Sequence, residues 1–336
     1  MIPAKVADDK MLTVSASPHV RSKDTSRRIM LDVILALCPA LIASVLLFGL
    51  RALAVTAVTV ASCMLAEFVS RKIMKRSNTL GDLSAIVTGM LLAFNLPVAI
   101  PYWMAALGGA VAIVVAKQFF GGIGQNFVNP AIAGRIILLL SFSTAMTSWT
   151  KPCGNLFNLT GDAVAVDALT GATPLASAEA DLPSMLDMFL GIRGGCLGET
   201  CAVALIIGGL YLVIRRVISP AIPLSFIGTV AVIMLIAGKG DFEYVARQLL
   251  SGGLLLGAIF MATDYTTSPI SFKGKIIFGI GCGLFTCLIR IFGSLPEGVS
   301  FSIILMNILV PHIERLTTPK PFGTPKKEKK EKEAEA

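Results

Sequence analysis

Long apolar stretches separated by short polar ones recur along nearly the whole chain. Ten of them stand out, at residues 29–50, 52–69, 80–97, 101–117, 131–147, 198–214, 221–238, 247–263, 275–292 and 299–316. Most are 17 or 18 residues long, close to the ~20 residues with which a helix crosses a bilayer core. Peptide groups in hydrocarbon find no water to bond, so a lone run of this kind must satisfy itself as a helix. The first run is too long for the core of a signal peptide and is read as a true first helix. The pattern predicts an all-α membrane protein with about ten transmembrane helices.

One long polar interval divides these runs evenly. Five units follow: a polar, basic tail at 1–28, a first five-helix half at 29–147, a loop at 148–197, a second five-helix half at 198–316, and a charged, disordered tail at 317–336. Five crossings in the first half place the start of the second half on the opposite side of the membrane. Halves related in this way form an inverted repeat, whose binding groups gather near the midplane at interrupted helices. Suitable interruptions occur in both halves. In the first they are Asn95-Leu96-Pro97 and the glycine-rich stretch 121–130, and in the second Gly252-Gly253 and the polar run from Thr263 to Pro269.

Composition agrees and excludes other classes. Hydrophobic residues make up 54% of the chain and charged ones 15%, against about 45–50% and 25% in soluble domains. A soluble enzyme, a disordered protein and a disulfide-stapled secreted fold are all ruled out. The net charge of +8 changes meaning once its residues are placed. Of the 29 basic residues, 22 fall on the side of the N-terminus and 5 on the other, with Arg135 and Arg290 inside apolar runs. The positive-inside rule then puts both termini in the cytoplasm and 148–197 outside. The charge is a topology signal, so the expected partner is the lipid bilayer and not a nucleic acid. Seven cysteines are scattered without CxxC or Cys/His spacing, as expected of small packing residues. Cys153 and Cys196 flank the long loop, which leaves a disulfide there open.

Acidic residues in or beside apolar runs are functional candidates by default, because an unpaired carboxylate there is costly. They are Asp32, Glu67, Asp82, Glu199 and Asp264. Asp82 and Asp264 adjoin the interrupted segments and, with Glu67, are the candidates for a Na+ or H+ path. Arg290 is read as the partner of an acid such as Glu297. In the long loop, Asp167-Ala168-Leu169-Thr170-Gly171-Ala172-Thr173-Pro174 sets a threonine hydroxyl between small residues. Thr173 reads equally as a helix N-cap with Pro174 in the first turn.

Here a resemblance adds to the residues. Asp167, Thr170, Gly171, Ala172 and Thr173 resemble the flavinylation motif, in which a flavin transferase esterifies the last threonine to the phosphate of FMN. That transferase acts on the outer side, where the charge count independently places this loop. The rest of the chain resembles the RnfD/NqrB family of membrane flavoproteins. The matching stretches are Ser17-Pro18-His19, 80–89, 121–135 ending in Asn-Pro-Ala-Ile-Ala-Gly-Arg, Met261-Ala262-Thr263-Asp264 with Ser268-Pro269, and Ile289-Arg290 leading into Pro296-Glu297-Gly298. A short N-terminal region favours the RnfD branch.

The resemblance implies a cell-membrane electron-transfer subunit of the Rnf complex, an enzyme coupling electron exchange between ferredoxin and NAD to Na+ or H+ transport. It implies covalent FMN at Thr173, a non-covalent riboflavin in the membrane body, and the A, B, C, E and G subunits as partners, the FMN-bearing G subunit above all. Asn126 and Asn129 are then candidate flavin contacts, or else satisfy the freed backbone of a broken helix. No nucleotide-binding glycine fingerprint or iron–sulfur cysteine set occurs, so substrate chemistry is expected on the partners. The competing readings are an NqrB-type subunit of a Na+-translocating NADH:quinone reductase, a small-solute channel or transporter, and a docking scaffold.

Overall fold

The computed structural model describes residues 24–150, 152, 184–293 and 298–319. Among them every regular element is helical. Four helices are long and apolar enough to cross a membrane: α1 (Ser26–Phe48), α2 (Leu50–Ile73), and two near the C-terminal end of the chain, Phe272–Phe292 and Val299–Thr317. Thr25 starts α1 by accepting a hydrogen bond from the Arg28 amide at 3.3 Å. Gly49, at φ 76°, ends it and lets α2 begin one residue later.

The remaining apolar runs form shorter pieces. In chain order they are α3 (Ser84–Phe94), α4 (Tyr102–Ile113, prolonged by a π turn over Val114–Gln118) and α5 (Pro130–Ser141). Two short helices, α6 (Ser143–Met146) and α7 (Met185–Leu190), precede α8 (Ala202–Ile214) and α9 (Ala221–Ala237). Then α10 (Phe242–Leu250) and α11 (Leu254–Leu256, prolonged by a π turn over Gly257–Met261) form one span bent by 64°. The two long helices at the end are α12 and α13. Ten apolar segments are thus present as helices, but only four described helices reach spanning length. The others are completed by non-helical chain.

That chain obeys the rule that irregular backbone at membrane depth must be buried in protein. After α3 the carbonyls of Phe94 and Leu96 accept from the amides of Gly198 and Leu197, both at 3.0 Å. The Arg51 guanidinium donates to the carbonyls of Val98 at 2.8 Å and Ala99 at 3.2 Å. The segment expected as the end of a surface loop is therefore largely part of the core. Cys196 to Thr200 is buried throughout. At the second break, Gly252 and Gly253 take φ 68° and 67°, backbone that side chains rarely adopt.

Packing partners repeat between the halves. In the first, α2 lies against α3 and α4, and α4 against α5. In the second, α9 lies against α10 and α12, and α12 against α13. Across the halves α1 meets α8 and α5 meets α13. The chain is a multi-pass membrane protein with two ends. At the near face α1 starts and α8 ends, since Ser26 and Leu212 line one cavity. The α12 start and α13 end join there too, through a 2.7 Å Ser271–Thr317 hydrogen bond. The opposite, far face holds the start of α2, the end of α12 and the start of α13.

A cavity and a polar column between the broken helices

Toward the near face a cavity of about 240 Å³ opens between α1, α3, the stretch before α5, and the stretch after α11. Its polar wall includes Ser84, Thr88, Lys117, Asn126, Asn129 and Asp264, and its apolar wall Val87, Leu91 and Phe260. Asn129 stands there because it caps α5. Its side-chain oxygen accepts from the Ala131 amide at 3.0 Å, with Pro130 in the first turn, as such a start requires. Its Nδ2 donates to the Met261 carbonyl at 3.1 Å, at the end of the π turn. Asp264 follows that turn, accepts from Thr266 at 3.0 Å and Thr267 at 3.3 Å, and bonds the Asn126 side chain.

Lys117 is buried in the cavity wall. Its Nζ donates to Glu67 Oε2 at 2.9 Å and to Ser84 Oγ at 2.6 Å. Glu67 also accepts from Thr79 at 2.6 Å, and the Ser84 hydroxyl donates to Asp82 at 2.5 Å. A hydrogen-bonded chain therefore runs from half-buried Asp82 through Ser84 and Lys117 to Glu67. A buried pair of this kind persists only when both charges keep their partners.

From the cavity a polar column continues toward the far face. Asn307, in its preferred amide orientation, donates to the Thr267 carbonyl at 3.0 Å and accepts from the Asn129 amide at 3.2 Å. Asn95, at the end of α3, donates to Met261 Sδ at 3.4 Å and to the Leu91 carbonyl at 2.6 Å. Its oxygen accepts from Arg135 Nη1 at 2.9 Å, and the same guanidinium donates to Ser300 Oγ at 2.8 Å. Beyond Arg135, the Cys196 amide donates to Glu199 Oε1 at 3.1 Å. Arg193 donates to the Glu199 carbonyl and to Ser251 Oγ, both at 3.1 Å. Arg290 donates to the carbonyls of Gln248 at 2.7 Å and Ser251 at 2.9 Å.

The candidates from sequence divide clearly. Asn126, Asn129 and Asp264 line the cavity, while Glu67 and Asp82 belong to the chain beside it. Asp32 is engaged elsewhere, accepting from Tyr211 at 3.0 Å and Arg215 at 3.2 Å. Arg290 bonds backbone carbonyls, and its expected partner Glu297 lies outside the described residues. So do Asp167, Thr170, Gly171, Ala172, Thr173 and Cys153. Among the described residues no cluster of three His, Cys, Asp or Glu side chains could hold a metal ion. Sequence reasoning missed Lys117, which it counted only as a loop charge, although a lone lysine beside an apolar run was the available signal.

Known proteins place the chain. A family model described as the NQR2, RnfD, RnfE family matches residues 13–323. The chain belongs to this family. A member from Acetobacterium woodii, the D subunit of a Na(+)-translocating ferredoxin:NAD(+) oxidoreductase complex, is 46% identical over 327 residues, 96% of this chain and 98% of that relative. A second, from Clostridium ljungdahlii, is the D subunit of a proton-translocating ferredoxin:NAD(+) oxidoreductase complex, 41% identical over 94% of this chain and 97% of its own length. The D subunit of an ion-translocating oxidoreductase complex from Stutzerimonas stutzeri is 39% identical, over 88% of this chain and 92% of its own. The cavity and column described above are therefore features of a member of the NQR2, RnfD, RnfE family.

Proposed function

We propose that this chain is the D subunit of an ion-translocating ferredoxin:NAD oxidoreductase complex, and that it relays electrons within that complex through flavins. The observation that carries the reading is the Asp167–Thr173 motif in a chain so similar to the D subunits of such complexes over nearly its whole length. Thr173 is the attachment point of FMN through its hydroxyl, with Asp167, Thr170, Gly171 and Ala172 as the motif read by a flavin transferase. The near face, rich in lysine and arginine, is cytoplasmic, and the loop holding Thr173 faces outward. The partners are the other subunits of the complex and the bilayer of the cell membrane.

The cavity suits a second, non-covalent flavin of the riboflavin type. At about 240 Å³ it lies just below the usual range of ligand pockets, ~300–1,000 Å³, so it is proposed to take the ring end of the flavin and not the whole molecule. Its edge offers amide donors and acceptors from Asn126 and Asn129 and hydroxyls from Ser84 and Thr88, while Val87, Leu91 and Phe260 supply flat apolar walls. Bound flavins supply the electron chemistry, accepting and releasing electrons singly or in pairs. The chain's own residues orient the ring and set the field around it. Lys117, held between Glu67 and Ser84, supplies a positive charge at the wall; Asp264, held by Thr266 and Thr267, supplies the opposing acid. Asp264, Glu67 and Asp82 are the carboxylates through which Na+ or H+ would couple to the redox state.

Peptide masses of the complex, purified from a host with a flavin transferase, test the attachment. The peptide holding Thr173 is expected to carry FMN less one water, and Thr173→Ala to lose it while the chain still inserts. An unmodified parent peptide, in a host that flavinylates other proteins, overturns the covalent site. Denaturing extraction of the Thr173→Ala complex is expected to release riboflavin, and Asn126→Leu to lower its yield.

A further inference from the structure

Among the described residues Lys117 is the only basic side chain lining the cavity, and it has a donor to spare. An ammonium carries three N–H donors. Two are taken, by Glu67 Oε2 at 2.9 Å and Ser84 Oγ at 2.6 Å, and the third meets no acceptor among the described residues. It is left for the occupant of the cavity. The other end of this arrangement reaches the near face. Ser84 passes its own hydrogen to Asp82 Oδ1 at 2.5 Å. Asp82 does not line the cavity; it is half-buried and follows the exposed Gly81, where water reaches it.

We infer that Lys117 is the proton donor to the ring held in the cavity, reloaded from the near face through Ser84 and Asp82. The inference rests on the flavin proposed for the cavity, and gives Glu67 and Asp82 separate parts beside it. A ring that takes up electrons, here from the reduced iron–sulfur or flavin carriers of partner subunits, draws a proton to one of its nitrogens. A Lys117 Nζ–H bond breaks as the ring N–H bond forms, and the lysine is left a neutral amine. The Ser84 hydroxyl gives its hydrogen to that amine and takes one from protonated Asp82, which is refilled by water. The sum is one proton moved from the near face to the ring, with no electron passing through these groups. Glu67 drives the return. Beside a neutral Lys117 its buried carboxylate has lost its counter-charge, a costly state that restoring the ammonium removes. Carboxylate-containing relays of this kind carry protons inside other membrane proteins. Arg71 and Arg135, on the two helices α2 and α5 packed against the same π turn, bond the Gly121 carbonyl and Asn95 instead. Asp264, on another part of the cavity wall, stays with the ion path.

The test follows protons in the whole purified complex. It is mixed rapidly with reduced ferredoxin in weakly buffered solution, and a pH-indicator dye reads proton uptake. The phase lost in Asn126→Leu, which is expected to empty the cavity, belongs to this site. Riboflavin released by denaturing each variant is measured, and rates are expressed per bound flavin. In Asp82→Asn and Ser84→Ala the phase is expected to slow by on the order of a hundredfold, the usual contribution of a placed general acid. The same slowing is expected of Lys117→Met combined with Glu67→Leu, which strands no charge. Ser84→Thr, which keeps the hydroxyl, is expected to stay near the parent rate. Added formate is expected to speed Asp82→Asn, because a small acid replaces the missing carboxyl; a merely structural role would not respond to it. Uptake at the parent rate in any of the three slowed variants overturns the relay. Equal slowing in Ser84→Ala and Ser84→Thr also overturns it. A parent complex that releases no riboflavin counts instead against the flavin proposed for the cavity, which separates the two failures.

Discussion

At the scale of single residues, the buried pair Lys117–Glu67 carries the sharpest consequence for stability. Neither side chain reaches water, at 3% and 0% exposure, so removing one partner strands a charge in a poor solvent. Lys117→Met is expected to destabilise the protein by about 3–5 kcal/mol, the usual cost of breaking a buried pair. Replacing both, as Lys117→Met with Glu67→Leu, is expected to recover most of that loss. Thermal unfolding in detergent reads the difference; a double variant no more stable than the single one would mean that the packing, not the charge, was lost. Asp264→Asn is a different case, because Asp264 is half-buried and held by two threonine hydroxyls that an amide oxygen still satisfies. Stability should barely change, whereas donor-driven ion uptake should fall while electron transfer to NAD persists. Unaltered uptake per electron would remove Asp264 from the ion path.

At the scale of elements, the breaks hold the argument. Gly253 sits at φ 67°, and a Cβ there would lie 2.6 Å from Glu199 Oε2. Gly253→Ala therefore combines backbone strain with a contact to buried polar atoms, and is expected to cost about 1–3 kcal/mol. Gly228→Ala, on α9 with nothing within 4 Å of the added carbon, should leave the melting temperature unchanged or slightly raised. Equal effects in the two variants would show that the break is not strained. This break was legible beforehand, since paired glycines inside an apolar run interrupt a helix. So was the one at Asn95-Leu96-Pro97, where proline removes a donor. The shortness of α3 was not legible. It depends on Leu197 and Gly198 supplying amides from about a hundred residues away, and on Arg51 reaching three carbonyls. Local pattern records which residues avoid water but not which distant backbone will satisfy an interrupted helix. For the same reason Asn126, Asn129 and Asp264 could be named as candidates, while their convergence with Lys117 on one cavity could not.

At the scale of the whole molecule, the repeated packing order makes a claim about sidedness that local features do not. If α2 and α4 of the first half correspond to α9 and α12 of the second, and the halves are oppositely directed, the end of α2 and the start of α12 must share one face. Lys72, in the last turn of α2, and Lys273, in the first turn of α12, are both exposed and mark those points. Lys239, exposed just after α9, marks the other face. In the orientation proposed above from the positive-inside rule, the first face is the cytoplasmic one. Single cysteines at these three positions, in a chain whose native cysteines are replaced by serine or alanine, can be probed with a membrane-impermeant maleimide. In intact cells only Lys239→Cys is expected to react, and Lys72→Cys and Lys273→Cys only after lysis. The opposite pattern would invert the molecule and place the cavity outside, where electrons from a cytoplasmic donor could not reach it directly. Labelling of Lys72→Cys and Lys273→Cys from different sides would be more damaging. It would break the correspondence between the halves, and with it the reason why two interrupted helices, one from each half, meet around Arg135.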